Sequence, residues 1–236
     1  MNPQKVAVIT GASQGIGAGL VTAYRKLGYA VVANSRSITP SEDPLVLAVA
    51  GDIAEPGVGS RVIEQGLAAF GRIDTLVNNA GVFVAKPFTE YTDADYAAVT
   101  GINLLGFFET TRRAVAAMLE HADGGHVVNI TTSFAEHGFS AVPAALAALT
   151  KGGLNSATKS LATEYATRNI RFNAVAPGVV RTPMHPAETH EFLAALHPVG
   201  RIAEIEEIVD AISYLETAKF VTGEILHVDG GQTAGH

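Results

Sequence analysis

Short, almost wholly apolar runs alternate along this chain with longer helical patterns, and that alternation most restricts the possible fold. The apolar runs predict strands at 5–10, 30–35, 45–50, 73–78, 126–131, 170–176 and 224–228. The segments between them predict helices at 16–27, 57–70, 93–120, 144–167 and 204–216. Strands that are apolar on both faces are typical of a parallel sheet covered by helices. The sequence therefore predicts a doubly wound α/β protein with a central parallel sheet of about seven strands.

The composition narrows the class further. The 236 residues are 47% hydrophobic and 17% charged, which suits one packed domain over 1–236 and excludes a disordered chain. The sequence has no cysteine, which excludes disulfides and thiol chemistry and fits a reducing compartment. A net charge of −7 without a basic run argues against nucleic acids and anionic membranes as partners. With no signal-peptide layout and no membrane-length apolar stretch, we expect a soluble, cytoplasmic protein.

A glycine-rich turn follows the first predicted strand and opens the first predicted helix, in the stretch VAVITGASQGIGAGL. Gly11, Gly15 and Gly17 are spaced G-x-x-x-G-x-G, and Ser13 and Gln14 add polar atoms. Glycines at such a turn permit a tight bend and let backbone N–H groups approach a pyrophosphate at the positive end of the helix. A strand, glycine turn and helix in this order predict the dinucleotide site of a single Rossmann domain.

The end of the second predicted strand bears on the choice of nucleotide. An acidic residue there would bind the ribose hydroxyls of NAD and repel the 2′-phosphate of NADP. The chain instead reads ANSRS, with Ser35 at that place and Arg36 beside it. Arginine pairs with phosphate through charge-assisted hydrogen bonds. The sequence therefore predicts that NADP(H) is preferred over NAD(H).

A long connection between the last two predicted strands holds four prolines and three histidines, over 177–201. Long loops at the strand ends of such a sheet tend to carry substrate, so 181–200 is predicted as a substrate-side loop. His185, Glu188 and His190 raise the question of a metal, but prolines break any helical spacing and the motif H-E-x-x-H is missing. We therefore predict no metal site.

Further motifs, in order along the whole chain, resemble those of the short-chain dehydrogenase/reductase family. They are TGASQGIG (10–17), GDI (51–53), NNAG (78–81), INLLG (102–106), NAVAPGVVRTP (173–183) and TGEILHVDGG (222–231). The resemblance implies that Asp52 meets the adenine and that NNAG lines the cofactor and steadies the central sheet. With the end of the second strand and the lysine of the family's catalytic helix, the predicted cofactor-binding residues are Gly11, Ser13, Gln14, Gly15, Ile16, Gly17, Ser35, Arg36, Asp52, Ile53, Asn79, Ala80, Gly81, Lys151, Pro177, Gly178, Val180 and Thr182.

The catalytic helix of that family carries Y-x-x-x-K. Its tyrosine protonates the substrate carbonyl, while its lysine binds the nicotinamide ribose and lowers the tyrosine pKa. The resemblance aligns Lys151 with this lysine, but Ala147 stands four residues earlier. No tyrosine falls between 97 and 164, so a small misalignment does not restore one. The chain therefore resembles an atypical member that lacks the catalytic tyrosine.

The remaining catalytic positions of the family fall on an asparagine and a hydroxyl. Asn103 corresponds to the catalytic asparagine, and the active hydroxyl, usually the second serine of N-x-S-S, falls in NITTSFAEHG. Counting from Asn129 gives Thr132, whereas counting back from position 147 favours Ser133; we prefer Ser133 and keep Thr132 open. Strand-end capping is the alternative role for either hydroxyl. The implied catalytic residues are Asn103, Ser133 and Lys151.

Three groups are candidates to donate the proton in place of the missing tyrosine. A water chain through Asn103 and Lys151 can carry the proton, or Lys151 itself can donate it if its pKa is depressed. Histidine titrates in the useful range, and the candidates are His137, His185, His190 and His197. An apolar or aromatic substrate is predicted from the side chains expected near it, which are Phe83, Phe88, Phe134, Phe139, Met184, Phe192 and Leu196.

Two functions fit these residues. The first is an NADP(H)-dependent oxidoreductase that acts on a carbonyl/alcohol pair, an iminium or an activated double bond. The alternative is a catalytically silent protein that binds NADP(H) as a sensor or partner. The intact nicotinamide end favours the first, and Ala147 favours the second. The resemblance also implies a homotetramer, and alanine-rich faces at 93–120 and 144–167 permit close helix contact across a two-fold axis.

Overall fold

The computed structural model describes residues 4–235, so residues 1–3 and 236 of the predicted domain lie outside the described residues. Its strands are β1 Val6–Thr10, β2 Ala30–Ser35, β3 Val46–Ala50, β4 Thr75–Asn78, β5 Gly125–Ile130, β6 Ile170–Pro177 and β7 Ile225–Val228. Its α-helices are α1 Gly15–Lys26, α2 Val58–Phe70, α3 Asp93–Thr100, α4 Gly106–Met118, α5 Ala145–Tyr165, α6 His190–Ala194 and α7 Ile205–Thr217. Short 3₁₀ turns occupy Phe88–Glu90, Ser133–Ala135, Ala166–Arg168 and Ala187–Thr189. Between residues 4 and 235, none of the helices could span a lipid bilayer.

The strands pair in the order β3-β2-β1-β4-β5-β6-β7, and all the pairs are parallel. This confirms the predicted parallel sheet of seven strands. The chain order reverses between β1 and β4, because the connection from β3 returns to the other side of β1. In sheets of this kind, ligands bind beside the carboxyl ends of the strands at such a reversal. The glycine-rich turn after β1 lies at that position.

Two apolar layers cover the faces of the sheet. Alternate residues of β1 serve the two layers, because successive side chains of a strand point to opposite faces. Val6 and Val8 pack in the layer that includes α2, α4 and α5, whereas Ala7 and Ile9 pack in the layer that includes α1 and α7. Burial on both sides explains why the strand sequences are apolar almost throughout.

The helix predicted at 93–120 is divided in the structure. α3 begins at a capping box in which Thr92 and Asp95 satisfy each other's backbone N–H groups. A π-helical turn over Gly101–Leu105 then joins α3 to α4. The extra residue of a π turn changes the direction of its side chains. Asn103 lies in this turn, so the irregularity falls on one of the predicted catalytic residues.

A buried polar network lies at the opposite edge of the sheet, near the amino ends of β4 and β5. The Glu216 carboxylate accepts hydrogen bonds from Tyr24 (3.2 Å), Tyr29 (2.8 Å), Thr75 (3.1 Å) and the Nδ1 of His126 (2.9 Å). Burial opposes ionisation of Glu216, but hydrogen bonds from His126 and Tyr29 outweigh it and lower the Glu216 pKa to about 2. This carboxylate therefore ties α7 to the sheet, away from the candidate site.

Candidate active site

A cavity of about 490 Å³ opens at the carboxyl ends of the strands. It runs from the segments after β2 and β3, past the glycine turn, to the segments after β5 and β6. Every predicted cofactor-binding residue except Gly17 lines it. The structure therefore brings together predicted residues that lie up to 171 positions apart in the sequence, Gly11 and Thr182.

The glycine turn leaves the amino end of α1 open to an anion. Gly11 and Gly15 have φ values of 65° and 56°, which favour glycine. Gln14 provides no side-chain cap, and the first turn of α1 contains no acidic residue. The N–H groups of that turn are therefore available for a phosphate. The Asn79 amide donates to the carbonyl oxygen of Thr10 (2.8 Å) and fixes the turn against the segment after β4.

Gly17 has a different role from the one predicted. A Cβ at this position would lie 2.1 Å from the Gly11 carbonyl oxygen and 2.8 Å from the side-chain nitrogen of Asn79. The missing side chain lets α1 approach the turn, and Gly17 itself does not line the cavity. The structure therefore shows close packing beneath the glycine turn as a reason for glycine at position 17.

The end of β2 brings polar groups, and no acidic residue, to the cavity. The Ser35 Oγ is buried and has no hydrogen-bond partner among residues 4–235, although Ser35 lines the cavity. The side chain of Arg36 is 73% exposed, and its Nη1 lies 3.9 Å from the Asp52 carboxylate. Asp52 also accepts a hydrogen bond from the Ala54 backbone N–H (3.0 Å). An unsatisfied hydroxyl beside an exposed arginine is suited to bind a phosphate oxygen.

Lys151 lies on α5, buried at the cavity wall with 8% of the residue exposed. Its Nζ donates to the Ile130 carbonyl oxygen at the end of β5 (2.7 Å). Among residues 4–235 no carboxylate pairs with it, and burial lowers the Lys151 pKa to about 8. Ala147 lies one helical turn earlier, is also buried and lines the same cavity. The wall beside Lys151 thus has a methyl group where a phenol is expected.

Asn103 holds the cavity wall and does not point into it. Its Oδ1 accepts from the Val82 N–H (3.0 Å), and its Nδ2 donates to the Val82 carbonyl (3.1 Å) and to the Thr150 hydroxyl (3.1 Å). The residue lines a second cavity of about 10 Å³ together with Lys151. The side-chain amide of Asn103, predicted as a catalytic residue, is therefore occupied by Val82 and Thr150 and lies outside the lining of the main cavity.

The structure separates the two candidate hydroxyls. Ser133 is fully buried, its Oγ donates to the Oε1 of Gln232 (2.5 Å), and it does not line the cavity. Thr132 lines the cavity and is only half-buried. Its Oγ1 accepts a hydrogen bond from the Phe134 N–H (3.3 Å). The structure therefore favours Thr132, the residue reached by counting from Asn129, over the preferred Ser133 as the hydroxyl at the cavity.

Only one of the four candidate histidines lines the cavity, and that is His185. His197 is buried, with its Nε2 bonded to the Val179 N–H (2.9 Å) and its Nδ1 to the Leu193 carbonyl (2.9 Å). His190 contacts the Arg181 guanidinium and the His185 carbonyl oxygen through its two ring nitrogens. His137 packs against Phe139 outside the cavity lining. His197 and His190 therefore hold the loop in place and have no ring nitrogen left for a substrate.

The substrate side of the cavity is largely apolar. Phe83, Phe134 and Met184 line it as predicted, whereas Phe88, Phe139, Phe192 and Leu196 do not. Phe83 and Phe134 pack edge to face, with ring centroids 5.3 Å apart. Sequence reasoning missed further lining residues, which are Asn34, Ser37, Gly51, Val82, Ile102, Ile130, Thr131, Val142, Val179, Pro183 and Leu193. Most of them lie within a few positions of a predicted site residue, and that proximity was the available signal.

A doubly wound parallel sheet with a glycine turn and a cavity at its order reversal defines a Rossmann-type dinucleotide-binding protein. A family model described as enoyl-(acyl carrier protein) reductase matches residues 11–233. An uncharacterized oxidoreductase of Methylorubrum extorquens is 35% identical over 245 residues, which cover 96% of this chain and 97% of the relative. Cis-4-hydroxycyclohexanecarboxylate dehydrogenase of Sinomonas cyclohexanicum is also 35% identical, with 98% of this chain and 97% of the relative covered.

The solved structures agree with the sequence relatives. ElxO with NADP bound superposes with a TM-score of 0.90 at 27% identity, covering 98% of this chain and 100% of that one. The chain belongs to the short-chain dehydrogenase/reductase family of oxidoreductases, as its motifs predicted.

Proposed function

We propose that the protein is an NADP(H)-dependent oxidoreductase that transfers hydride to or from an apolar carbonyl/alcohol pair or an activated C=N or C=C bond. One observation carries this proposal: a single cavity joins the phosphate-binding turn at α1 to Lys151 and to an apolar, partly aromatic wall. A cofactor in the turn and a substrate against the wall would share that space. The relative named as a dehydrogenase of a hydroxycyclohexane acid supports a cyclic alcohol as substrate.

The residues at the cavity fit the nucleotide. The turn at Gly11 and Gly15 would hold the pyrophosphate, Asp52 the adenine, and Lys151 the nicotinamide ribose through its ammonium group. When bound, the cofactor supplies or accepts hydride at its nicotinamide ring. Thr132 is positioned to donate a hydrogen bond to the substrate oxygen, because its hydroxyl is the half-buried one at the cavity wall. The apolar wall would exclude water from the transfer.

The preference for NADP(H) over NAD(H) rests on the polar groups after β2. Arg36 would pair with the 2′-phosphate, and the unsatisfied Ser35 hydroxyl would donate to it. No acid at position 35 repels the phosphate. ElxO, which was solved with NADP bound, supports the same nucleotide.

The cofactor preference is tested by titrating NADPH and NADH, with nicotinamide fluorescence as the readout. We expect NADPH to bind at least tenfold more tightly, and Arg36→Ala to lose about tenfold in NADPH affinity, because a charged hydrogen bond contributes about 1.5–3 kcal/mol. Arg168→Ala, at an exposed residue of the 3₁₀ turn after α5, is the matched control and should bind as wild type does. Equal affinities for the two cofactors would contradict the proposal.

A silent NADP(H)-binding protein is the second candidate function, and Ala147 favours it, since no phenol stands beside Lys151. The two functions differ in one measurable respect. An oxidoreductase oxidises bound NADPH when a suitable ketone such as acetophenone is added, whereas a silent binder retains NADPH fluorescence with every carbonyl compound offered. Stopped-flow fluorescence of the NADPH complex with a panel of aryl and cyclic ketones distinguishes them.

We also infer a cytoplasmic homotetramer. Phe108 on α4 and Leu149 on α5 are exposed, and so are Tyr214 and Phe220 near the end of α7. Two-fold packing of α4 and α5 from neighbouring copies would cover the first pair, and packing about a second axis would cover the other. The cysteine-free composition suits a reducing compartment. Light scattering at micromolar concentration should give four times the monomer mass of 24.5 kDa, and a monomer would contradict this inference.

A further inference from the structure

We propose that His185 is the residue that exchanges a proton with the substrate oxygen, in place of the tyrosine that position 147 lacks. This inference rests on the proposed hydride transfer in the same cavity. His185 lines that cavity together with Ala147, Thr132 and Lys151. It is half-buried in the segment that follows Thr182, where the chain leaves β6 and passes over the substrate side.

The backbone of His185 is held while its ring is left free. Its N–H donates to the Thr182 carbonyl (3.0 Å), and its carbonyl oxygen contacts the Nε2 of His190 (2.9 Å). The imidazole itself has no hydrogen-bond partner anywhere in residues 4–235. With the backbone held and no partner on the ring within the described part of the chain, both imidazole nitrogens are available at the cavity wall to exchange a proton with a substrate.

The other groups near the substrate side are already engaged. His190 and His197 use both ring nitrogens in contacts with the loop and the end of β6. His137 does not line the cavity. Lys151 donates to the Ile130 carbonyl and, in the proposed function, to the nicotinamide ribose. His185 is therefore the titratable group on the substrate side whose ring nitrogens are both available.

The charges around His185 favour its neutral form at neutral pH. Burial and the neighbouring His190 lower the His185 pKa below its ordinary value. Arg181 on the same segment is paired with Glu204, which precedes α7, and Lys151 on α5 lines the same cavity. No carboxylate of the described chain pairs with His185 to favour its cation. The imidazole is thus present mainly as a base that can accept a proton.

The proton balance of the proposed step follows from this state. As an alcohol is oxidised, its C–H bond breaks and the hydrogen leaves with the bonding electrons to oxidised NADP, which is reduced. The O–H bond breaks at the same time, its electron pair forms the second C–O bond, and the proton goes to a free nitrogen of His185. In the reverse direction the His185 imidazolium returns that proton to the carbonyl oxygen as hydride arrives at carbon.

The test uses the purified full-length protein with 1-phenylethanol and NADP⁺, or acetophenone and NADPH, because an aryl group suits the phenylalanine-lined wall. We expect His185→Gln to lower kcat in both directions by about 10² or more, the range of general acid–base catalysis. NADPH affinity by fluorescence should not change. Free imidazole should restore turnover to His185→Ala, which a merely structural role would not allow. His137→Gln is the matched control and should retain wild-type kcat.

A second readout does not depend on turnover. In the histidine Cε1–H region of the NMR spectrum, the resonance lost in His185→Gln should shift when acetophenone is added to the NADP⁺ complex. The role of His185 would be overturned if wild type and His185→Gln turned over the probes at the same rate, or if the His185 resonance did not respond to acetophenone. Either result would leave the oxidoreductase proposal standing. A wild type that binds NADPH but turns over neither probe would overturn both.

Discussion

Replacing Lys151 with methionine should stabilise the protein in the absence of cofactor while it removes the group proposed to hold the nicotinamide ribose. The reason is the environment of the ammonium. Lys151 on α5 is buried against the sheet. Within residues 4–235 its one hydrogen bond goes to the Ile130 carbonyl, and no carboxylate compensates its charge. A methionine of similar length fills the same space without a charge.

The magnitude follows from the shift in protonation. The Lys151 pKa falls from its ordinary 10.5 to about 8 because of burial. Each pKa unit corresponds to about 1.4 kcal/mol, so keeping the cation buried at pH 7 costs about 3 kcal/mol of folding free energy. Loss of the hydrogen bond to Ile130 offsets about 1 kcal/mol of the gain. Lys151→Met should therefore gain about 2 kcal/mol, or about 4–8 °C in Tm for a domain of this size.

The sign of the pH dependence identifies the cause. Below pH 8 the lysine is charged in the folded and the unfolded chain, so the cost of burial is fully present. It declines as pH rises from about 8 toward 10.5, where the folded protein carries the neutral amine. The stability difference between variant and wild type should thus shrink by about 2 kcal/mol between pH 7 and pH 9.5. Urea unfolding at both pH values measures it, with Lys159→Met on the exposed face of α5 as control. A Lys151→Met variant that is less stable than wild type at pH 7, or a gain that does not change with pH, would refute the reasoning.

Three further predictions follow from the site and the fold. In a His185→Gln background, Ala147→Tyr should raise turnover of acetophenone by about 10², because a phenol beside Lys151 supplies the missing acid. Steady-state assays that show no gain would mean that position 147 has no space for a working phenol. Thr132→Ala should lower kcat. Ser133→Ala should keep kcat and lose about 1 kcal/mol of unfolding free energy in urea, since it removes only the buried hydrogen bond to Gln232. The opposite pattern would identify Ser133 as the active hydroxyl. Glu216→Gln should cost about 3 kcal/mol, because four donors lose their carboxylate. Since the Glu216 pKa falls from its ordinary 4.5 to about 2, wild type should lose this stability as pH falls from about 4.5 toward 2, and the variant should not; equal acid unfolding of the two proteins would argue against the network.

The parallel sheet of seven strands and most of the cavity lining were predictable from the sequence, because both depend on local patterns. The apolar runs that became the inner strands, such as β1 and β2, are buried on both sides, and the glycine turn is a contiguous segment with positive φ values at Gly11 and Gly15. The division of the helix at 93–120 was not predictable from its apolar pattern, since a π turn adds one residue without changing composition.

The errors within the site concern side chains whose role depends on distant contacts. Ser133 and Thr132 are neighbours, and only the position of Gln232, about a hundred residues later, decides which hydroxyl is buried. Counting back from position 147 pointed to Ser133, whose hydroxyl is buried away from the cavity. Gly17 is similar, because the requirement for glycine comes from Gly11 and Asn79 and not from a ligand.

The buried lysine links the stability of the fold to the binding of its cofactor. About 3 kcal/mol of folding free energy is lost when the Lys151 ammonium is buried with the Ile130 carbonyl as its one protein acceptor. A ligand that offers hydroxyl oxygens at that point satisfies the remaining N–H donors and recovers part of this free energy. By linkage, the recovered free energy appears as binding affinity for the folded state. If Lys151 holds the nicotinamide ribose as proposed, the burial that weakens the protein without cofactor thus contributes to its affinity at the nicotinamide end, and this holds whether or not a tyrosine stands at position 147.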